Sequence, residues 1–190
     1  FLGIHLTNVK IVNKKWNKLS TANEKRELLK LKKMLNNDNI PYDEKINSMY
    51  IVSTTRNKLT KTEAKMGFKM SQALRRKHWC IIDLSNAISG DIYFFLPGLY
   101  KFQNQLLLRN KNLSFIGLSP HNNKKSYDGV HIYFDLDDDD DIIPAICIDH
   151  SKLRVERCEI RCVGGFDAIQ VGKKSSLWIK ECSITSSLYN

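Results

Sequence analysis

The sequence has no uninterrupted run of about 18 apolar residues, which is roughly the length that a helix needs to cross a lipid bilayer. This absence predicts a protein without a membrane span. The first residues, Phe1-Leu2-Gly3-Ile4, are too short for the apolar part of a signal peptide and follow no methionine. The chain stops at Asn190, within a stretch that resembles another repeat, so we expect truncation at both ends.

The cysteines include no Cys-x-x-Cys pair, the spacing that is typical of zinc and redox sites. Their number is odd, so they cannot all pair as disulfides within the chain. We predict buried free thiols in a reducing compartment, with disulfides or metal ligands as the alternatives. The five residues are Cys80, Cys147, Cys158, Cys162 and Cys182.

The positive charge is concentrated in the first half of the chain. Residues 1–90 contain 18 Lys and Arg against 7 Asp and Glu, a net charge of +11, whereas residues 91–190 contain 12 against 13, a net charge of −1. Such an excess suits an anionic partner, such as nucleic acid, a lipid surface or an acidic protein segment. It also arises from lysines dispersed over solvated helices. We favour the second interpretation and expect no nucleic-acid binding, because the lysines do not alternate with aromatic residues that stack on bases.

The N-terminal part of the chain, up to His78, carries patterns typical of helices. Both Thr21-Ala22-Asn23-Glu24 and Thr60-Lys61-Thr62-Glu63 have the spacing of a capping box. The basic cluster Arg75-Arg76-Lys77-His78 suits the C-terminal end of a helix, where cations complement the backbone dipole. We therefore predict a basic helical region over residues 1–78, belonging to an upstream domain. The apolar positions of its three helices are Leu28, Leu31 and Leu35, then Tyr42, Ile46, Met49 and Tyr50, then Met66, Met70 and Leu74.

A segment near the end of the chain occurs twice. Residues 151–160 align with residues 175–184, so that Leu153 falls on Leu177 and Cys158 falls on Cys182. In each copy the apolar residues alternate, shift phase once and alternate again, which predicts a strand, a bend and another strand. A repeat of this length with only β-type alternation indicates a solenoid of stacked coils. We expect Cys158 and Cys182 to stack inside it.

From residue 79 onward, short apolar clusters recur at regular intervals. The interval from Ile146 to Ile169 nearly equals that from Leu153 to Leu177, so a second face keeps almost the same period as the repeat. The interval from Leu113 to Leu153 is much longer, and the acidic tract Asp135–Asp141 lies within it, which predicts an extruded loop in that coil. The predicted fold is thus α+β by segment. A helical region is followed by a right-handed parallel β-helix of about three coils over residues 79–190.

The segment from Asn86 to Tyr100 resembles the entry of parallel β-helices of the pectin-lyase-like type. In that group a capping helix with an Ala-Ile pair leads into a Gly-Asp turn, a strand and a Pro-Gly turn before a tyrosine. Here the glycines supply turn geometry, the proline fixes φ, and the tyrosine is expected to cover the first coil. The matching structural positions are Gly90, Asp91, Pro97, Gly98 and Tyr100, and Gly117 closes the next strand.

Within that group, a basic helical region followed by a cysteine-containing β-helix is most similar to the SHC SH2-domain-binding protein and nessun dorma family. The resemblance implies a non-enzymatic scaffold that acts with the centralspindlin complex in cytokinesis and binds proteins, with glycans as a further class of ligand. It also implies a cytoplasmic location associated with the cytoskeleton or the midbody. F-box proteins with β-helix repeats share the entry motif, so a substrate adaptor is an alternative.

Pectin-active relatives supply an enzyme hypothesis. Hydrolases of this fold place paired carboxylates on adjacent coils beside a histidine between two glycines, and the sequence contains no Gly-His-Gly. Lyases of this fold use calcium, and Asp135, Asp137 and Asp139 have the alternate spacing of a calcium loop. However, Asp140 stands where that loop needs glycine, and Ile146 stands where it needs a bidentate glutamate. We therefore predict no catalytic residue, cofactor or metal in this chain, and any catalytic coils would lie outside it.

Overall fold

The structure is a computed structural model that describes residues 46–76, 79–118, 129–136, 143–163 and 167–187. Residues 59–67 belong to a different compact unit from residues 46–58 and 68–187, and they contain the only helix in the described ranges. That helix is too short to span a membrane, and no other described segment forms a helix that could. In chain order the elements are β1 (Met49–Val52), α1 (Lys61–Lys65), β2 (Phe68–Met70), β3 (Ala73–Arg75), β4 (Cys80–Ile82), β5 (Asp91–Phe95), β6 (Gly98–Phe102), β7 (Leu106–Arg109), β8 (Asn112–Gly117), β9 (Val130–Asp135), β10 (Ile146–Asp149), β11 (Lys152–Glu156), β12 (Glu159–Val163), β13 (Ile169–Val171), β14 (Ser176–Lys180) and β15 (Ser183–Ser187).

The prediction of an α+β fold with a helical N-terminal region is wrong, because the described chain is mostly β. Met49–Val52, placed in the second predicted helix, is strand β1. The capping box at Thr60 does start a helix, since Thr60 Oγ1 accepts the Glu63 N–H at 3.2 Å and Glu63 Oε2 accepts the Thr60 N–H at 2.7 Å. That helix ends at Lys65, and Gly67 follows with φ of +81°. The remainder of the third predicted helix forms β2 and β3, and the first, over residues 21–35, lies outside the described residues.

The reason for this error is that sheet pairing overrides the local helical pattern. Met49, Tyr50 and Ile51 pair in parallel with β2 on one side and with β5 on the other. Backbone hydrogen bonds to two neighbouring strands, together with burial of Ile51, stabilise the extended conformation. A helix could bury only one stripe of the same residues.

The strands form three sheets, in which neighbours are parallel except for the antiparallel pair β3 and β4. Sheet A has the order β14-β11-β8-β5-β1-β2, sheet B has the order β15-β12-β9-β6-β4-β3, and sheet C has the order β13-β10-β7. From β5 onward, consecutive strands enter sheets A, B and C in turn. We call each such set of strands a coil, and successive coils stack on one another through the three sheets.

The sequence repeat coincides with the stacking register. In sheet A, Leu153 pairs with Leu177 and Val155 with Ile179, and in sheet B Ile160 pairs with Ile184. The alternate residues of these strands face the interior of the coils, where they form one apolar core. Aromatic rings stack in register between coils within this core, including Phe102 on Phe134 at 4.7 Å between ring centroids. Burial of this apolar core, aliphatic and aromatic together, is the main force that holds neighbouring coils together.

The part of sheet A formed by β2, β1, β5 and β8 is also apolar on its outer face. Residues of adjacent strands align there, and they are buried although they do not belong to the core between the coils. A strand that is buried on both faces loses the alternation of apolar and polar residues, and the fully buried Asp91–Phe95 shows this pattern. The buried outward residues of sheet A are Ile51, Phe68, Ile92, Phe94 and Ile116.

Candidate functional site

Asp91 is a buried carboxylate that ties two turns to the start of β5. Its Oδ1 accepts a hydrogen bond from Asn47 Nδ2 at 2.7 Å, and its Oδ2 accepts one from the Ile88 N–H at 3.0 Å. Gly90, directly before it, has φ of +88°, a conformation that glycine adopts at little cost. The pKa of the Tyr93 hydroxyl is raised above its usual range, mainly by burial and to a smaller extent by the charge of Asp91. Both oxygens of Asp91 serve the fold, so we assign this residue a structural role.

The Pro97–Gly98 segment links β5 to β6, and Tyr100 follows it into the core. Gly98 has φ of +154°, and a Cβ atom there would lie 2.6 Å from Thr54 Oγ1, so the close approach requires glycine. Tyr100 is fully buried, and its hydroxyl donates to the Leu96 carbonyl at 2.6 Å. Its polar end is therefore satisfied within the core, and its ring fills the interior of the coil.

All five cysteines are free thiols in the structure. Cys158 and Cys182 occupy equivalent turns between sheets A and B, and each Sγ lies close to the carbonyl oxygen two residues earlier, at 3.2 Å from Glu156 and 3.1 Å from Lys180. Burial is the main cause that raises the pKa of both thiols. A protonated thiol is a poor nucleophile and a poor metal ligand, so this pair contributes packing and hydrogen bonds.

Only one of the three predicted calcium candidates lies within the described residues. Asp135 ends strand β9, whereas Asp137 and Asp139 lie outside the described residues. Within the ranges that the structure describes, no three His, Cys, Asp or Glu side chains cluster so that they could hold a metal ion. The calcium candidates of the acidic tract therefore stay a prediction.

The structure reveals a buried ion cluster that the sequence analysis missed. Glu156 is buried on the outer face of sheet A, where it binds the guanidinium of Arg154, and its Oε2 lies 3.3 Å from Arg157 Nη1. The Arg154 guanidinium also lies over the Trp178 ring, 4.7 Å from its centroid. Arg161, by contrast, lies on sheet B. The burial of Arg154 and Glu156 depends on tertiary packing, which the sequence does not reveal.

The outer face of sheet B is the strongest candidate for a functional surface. Lys101, Tyr133 and Arg161 are register partners on three adjacent strands, so their side chains form one row. Leu99, His131 and Glu159 form the neighbouring row two residues earlier on the same strands. Successive strands of a sheet lie about 4.8 Å apart, which sets the spacing within each row.

Cations and aromatic rings contact one another along this face. Lys101 Nζ lies 4.9 Å from the centroid of the Trp79 ring, and Arg161 Cζ lies 5.8 Å from that of Tyr133. Arg161 Nη1 also donates to the Tyr133 hydroxyl at 3.3 Å. In the adjacent row His131 Nδ1 lies 2.8 Å from Glu159 Oε2. These contacts restrict long side chains before any partner arrives, which lowers the entropic cost of binding.

The other end of the same face is apolar. Leu74 on β3 pairs with Ile81 on β4, and both side chains point away from the core. Leu74 is 55% exposed, and Trp79 and Leu99 are half-buried beside this pair. We call the combined surface the sheet B face; it consists of Leu74, Trp79, Ile81, Leu99, Lys101, His131, Tyr133, Glu159 and Arg161.

Comparison of the chain with family models, with curated proteins and with solved structures finds no match. The resemblance to the pectin-lyase-like group and to the SHC SH2-domain-binding protein and nessun dorma family therefore stays a prediction. Any functional conclusion has to come from the surfaces that the structure itself presents.

Proposed function

We propose that this protein is a non-catalytic binding scaffold whose sheet B face docks a protein partner. The observation that carries the proposal is the in-register row of Lys101, Tyr133 and Arg161, placed beside the apolar pair of exposed Leu74 and half-buried Ile81. An apolar patch bordered by oriented polar groups is the usual composition of a specific protein interface.

The residue types on this face support the proposal. Tryptophan, tyrosine and arginine are enriched among the residues that contribute most to binding energy, because each combines a large contact area with a directed polar group. Trp79, Tyr133 and Arg161 are all at least partly accessible to solvent. They are carried by strands of one sheet, and a rigid support of this kind positions a binding surface better than loops do.

The charge of the face indicates the chemistry of the partner. Lys101 and Arg161 supply two cations, and the carboxylate of Glu159 is already in contact with His131. A partner that places an aliphatic patch on Leu74 and Trp79 and carboxylates on Lys101 and Arg161 would complement both ends. A role in cytokinesis with centralspindlin, and a cytoplasmic location at the cytoskeleton or midbody, remain proposals that only the family resemblance supports.

The test is a quantitative affinity capture that compares wild type with variants of this face. We expect Tyr133→Ala/Arg161→Ala and, separately, Leu74→Asp to lose the same protein partner. Direct binding measurements should show an affinity reduced by about 30-fold or more, the usual effect of removing a dominant contact. Recovery of kinesin and GTPase-activating subunits with the wild type would support the cytokinetic role.

A matched control changes two outward positions of sheet C in the double variant Leu107→Ser/Gln170→Ala. This variant should bind the same partner with unchanged affinity. Equal binding by all the variants would show that the sheet B face is not the docking surface. Cleavage of polygalacturonate by the purified protein would contradict the non-catalytic scaffold itself.

A further inference from the structure

The turns that join sheet C to sheet A stack directly on one another. Asn110, His150 and Lys174 are equivalent residues of three consecutive turns, with φ of 53°, 46° and 50°. Their strands are in register on both sides, since β7, β10 and β13 pair in sheet C, and β8, β11 and β14 pair in sheet A. Side chains at equivalent positions of these turns therefore form a line along the stack.

Serine side chains fix this corner. Ser151 Oγ donates to the Asp149 carbonyl at 2.8 Å and accepts the Lys111 N–H of the preceding coil at 2.9 Å. One coil further on, Ser175 Oγ donates to the Lys173 carbonyl at 3.0 Å. The same hydroxyl lies 3.4 Å from the Ser151 backbone nitrogen. Repetition of this arrangement holds the turns at constant spacing, because each hydroxyl satisfies backbone groups of two neighbouring coils.

The outside of this corner is basic. Arg109 and Lys111 come from the first turn, and Lys173 and Lys174 come from the third. Arg109, Lys173 and Lys174 are exposed, and Lys111 is half-buried. Asp149, in the second turn, has its Oδ1 3.0 Å from His150 Nδ1. We call this surface the basic corner, consisting of Arg109, Lys111, His150, Lys173 and Lys174.

The net charge of residues 91–190 gives no indication of the basic corner. The net charge of −1 over residues 91–190 includes the six aspartates of Asp135–Asp141. The other residues of that range carry 12 Lys and Arg against 7 Asp and Glu, a net charge of +5. The positive charge is therefore not confined to the N-terminal half, and four of these cations lie on one corner.

We propose that the basic corner binds the flat surface of an anionic lipid membrane. The corner lies on three stacked turns, and the side chains of Arg109, Lys173 and Lys174 are exposed to solvent there. Most of its cations are lysines, which act as point charges towards phosphate-bearing headgroups without a fixed geometry. No Phe, Tyr or Trp occurs in residues 109–111, 149–151 or 172–175, so the corner lacks the large rings on which nucleic-acid bases usually stack. Clusters of four or more basic residues attract anionic leaflets through the same electrostatics.

The test is co-sedimentation of the full chain with vesicles of phosphatidylcholine alone and with vesicles of equal parts phosphatidylcholine and phosphatidylserine. We expect binding to the anionic vesicles only, and weaker binding as salt screens the charges. Lys173→Gln/Lys174→Gln should reduce binding about tenfold or more, and Arg109→Gln/Lys111→Gln should do the same from another coil. The control Lys58→Gln/Lys65→Gln removes two exposed lysines elsewhere and should leave most of the binding intact.

Several outcomes would overturn this proposal. Equal losses in the control and corner variants would show that net charge alone, and not the corner, drives adsorption. Equal binding to neutral and anionic vesicles would exclude an electrostatic site. If the corner variants instead lost binding to single-stranded nucleic acid or to a poly-glutamate segment, while vesicles did not bind the wild type, the membrane would be the wrong partner.

Discussion

The carbonyl oxygen of Arg157 occupies the space where a side chain would begin on Gly117. A Cβ atom built on Gly117 would overlap that oxygen, and the Gly117 carbonyl in turn accepts a hydrogen bond from Arg157 Nε at 3.0 Å. Gly117 is the last residue of β8, and Arg157 directly follows the last residue of β11, the neighbouring strand in sheet A, where Ile116 pairs with Glu156. Contact between these two coils, at the point where their sheet A strands end, therefore depends on the absence of a side chain at position 117.

We expect Gly117→Ala to destabilise the protein by about 2–3 kcal/mol, because the backbone of one coil has to move away from the other. Chemical denaturation followed by circular dichroism measures this change. The control is Gly129→Ala, where the nearest atom to a new Cβ would be His131 Nε2 at 3.6 Å, an ordinary contact. An unchanged midpoint for Gly117→Ala would show that the two coils are not packed in this way.

Substitution of Asp91 tests the hydrogen bonds that this residue makes to the turns before β5. In Asp91→Asn the side chain keeps only one acceptor oxygen, so either the Ile88 N–H or the Asn47 side-chain amide loses its buried partner. We expect a loss of about 2 kcal/mol in the free energy of unfolding. Asp167→Asn, at an exposed position, should stay within about 0.5 kcal/mol of wild type. Similar stability for the two variants would rule out the bridging role of Asp91.

The buried ion cluster on sheet A makes a prediction about additivity. Glu156→Leu leaves the Arg154 guanidinium buried without this carboxylate, and we expect it to cost about 3–5 kcal/mol. Arg154→Leu/Glu156→Leu removes both charges and should be less destabilised than the sum of its single variants. A double-mutant cycle on unfolding free energies measures this coupling. Strictly additive losses would mean that the two residues do not stabilise each other.

The thiols of Cys158 and Cys182 predict a pH dependence of stability. Their pKa values are raised in the folded protein, mainly by burial, whereas a thiol in the unfolded chain ionises near about pH 8.5. Their contribution is thus fully present below about pH 8.5 and declines as the pH rises above it, because only the unfolded state then loses protons. Measured between about pH 7 and pH 10, the stability of Cys158→Ala/Cys182→Ala should decline less than that of wild type. The opposite result would contradict the raised pKa values.

The repeat was readable from the sequence because a β-solenoid stacks like residues on like. The interval from Leu153 to Leu177 is the register step of sheet A, and inward alternation identified the core positions. Of the helices predicted between residues 41 and 78, only the short helix Lys61–Lys65 forms within the described residues, and the converse reason explains this. Met49 and Tyr50 have helical spacing with Ile46, but their partners are Phe68, Ile92 and their neighbours in β2 and β5, which local sequence does not reveal.

The two proposed surfaces also separate what the sequence predicts from what only the tertiary structure determines. Cysteine spacing, the Gly-Asp and Pro-Gly turns and the apolar alternation were determined by the sequence itself, since each depends on residues close together in the chain or one repeat apart. Lys101, Tyr133 and Arg161 are far apart in the sequence and unequally spaced, and Arg109 is farther still from Lys173. Only the tertiary structure decided that these side chains share a face or a corner, because coils of unequal length place residues in register that no constant period in the sequence connects.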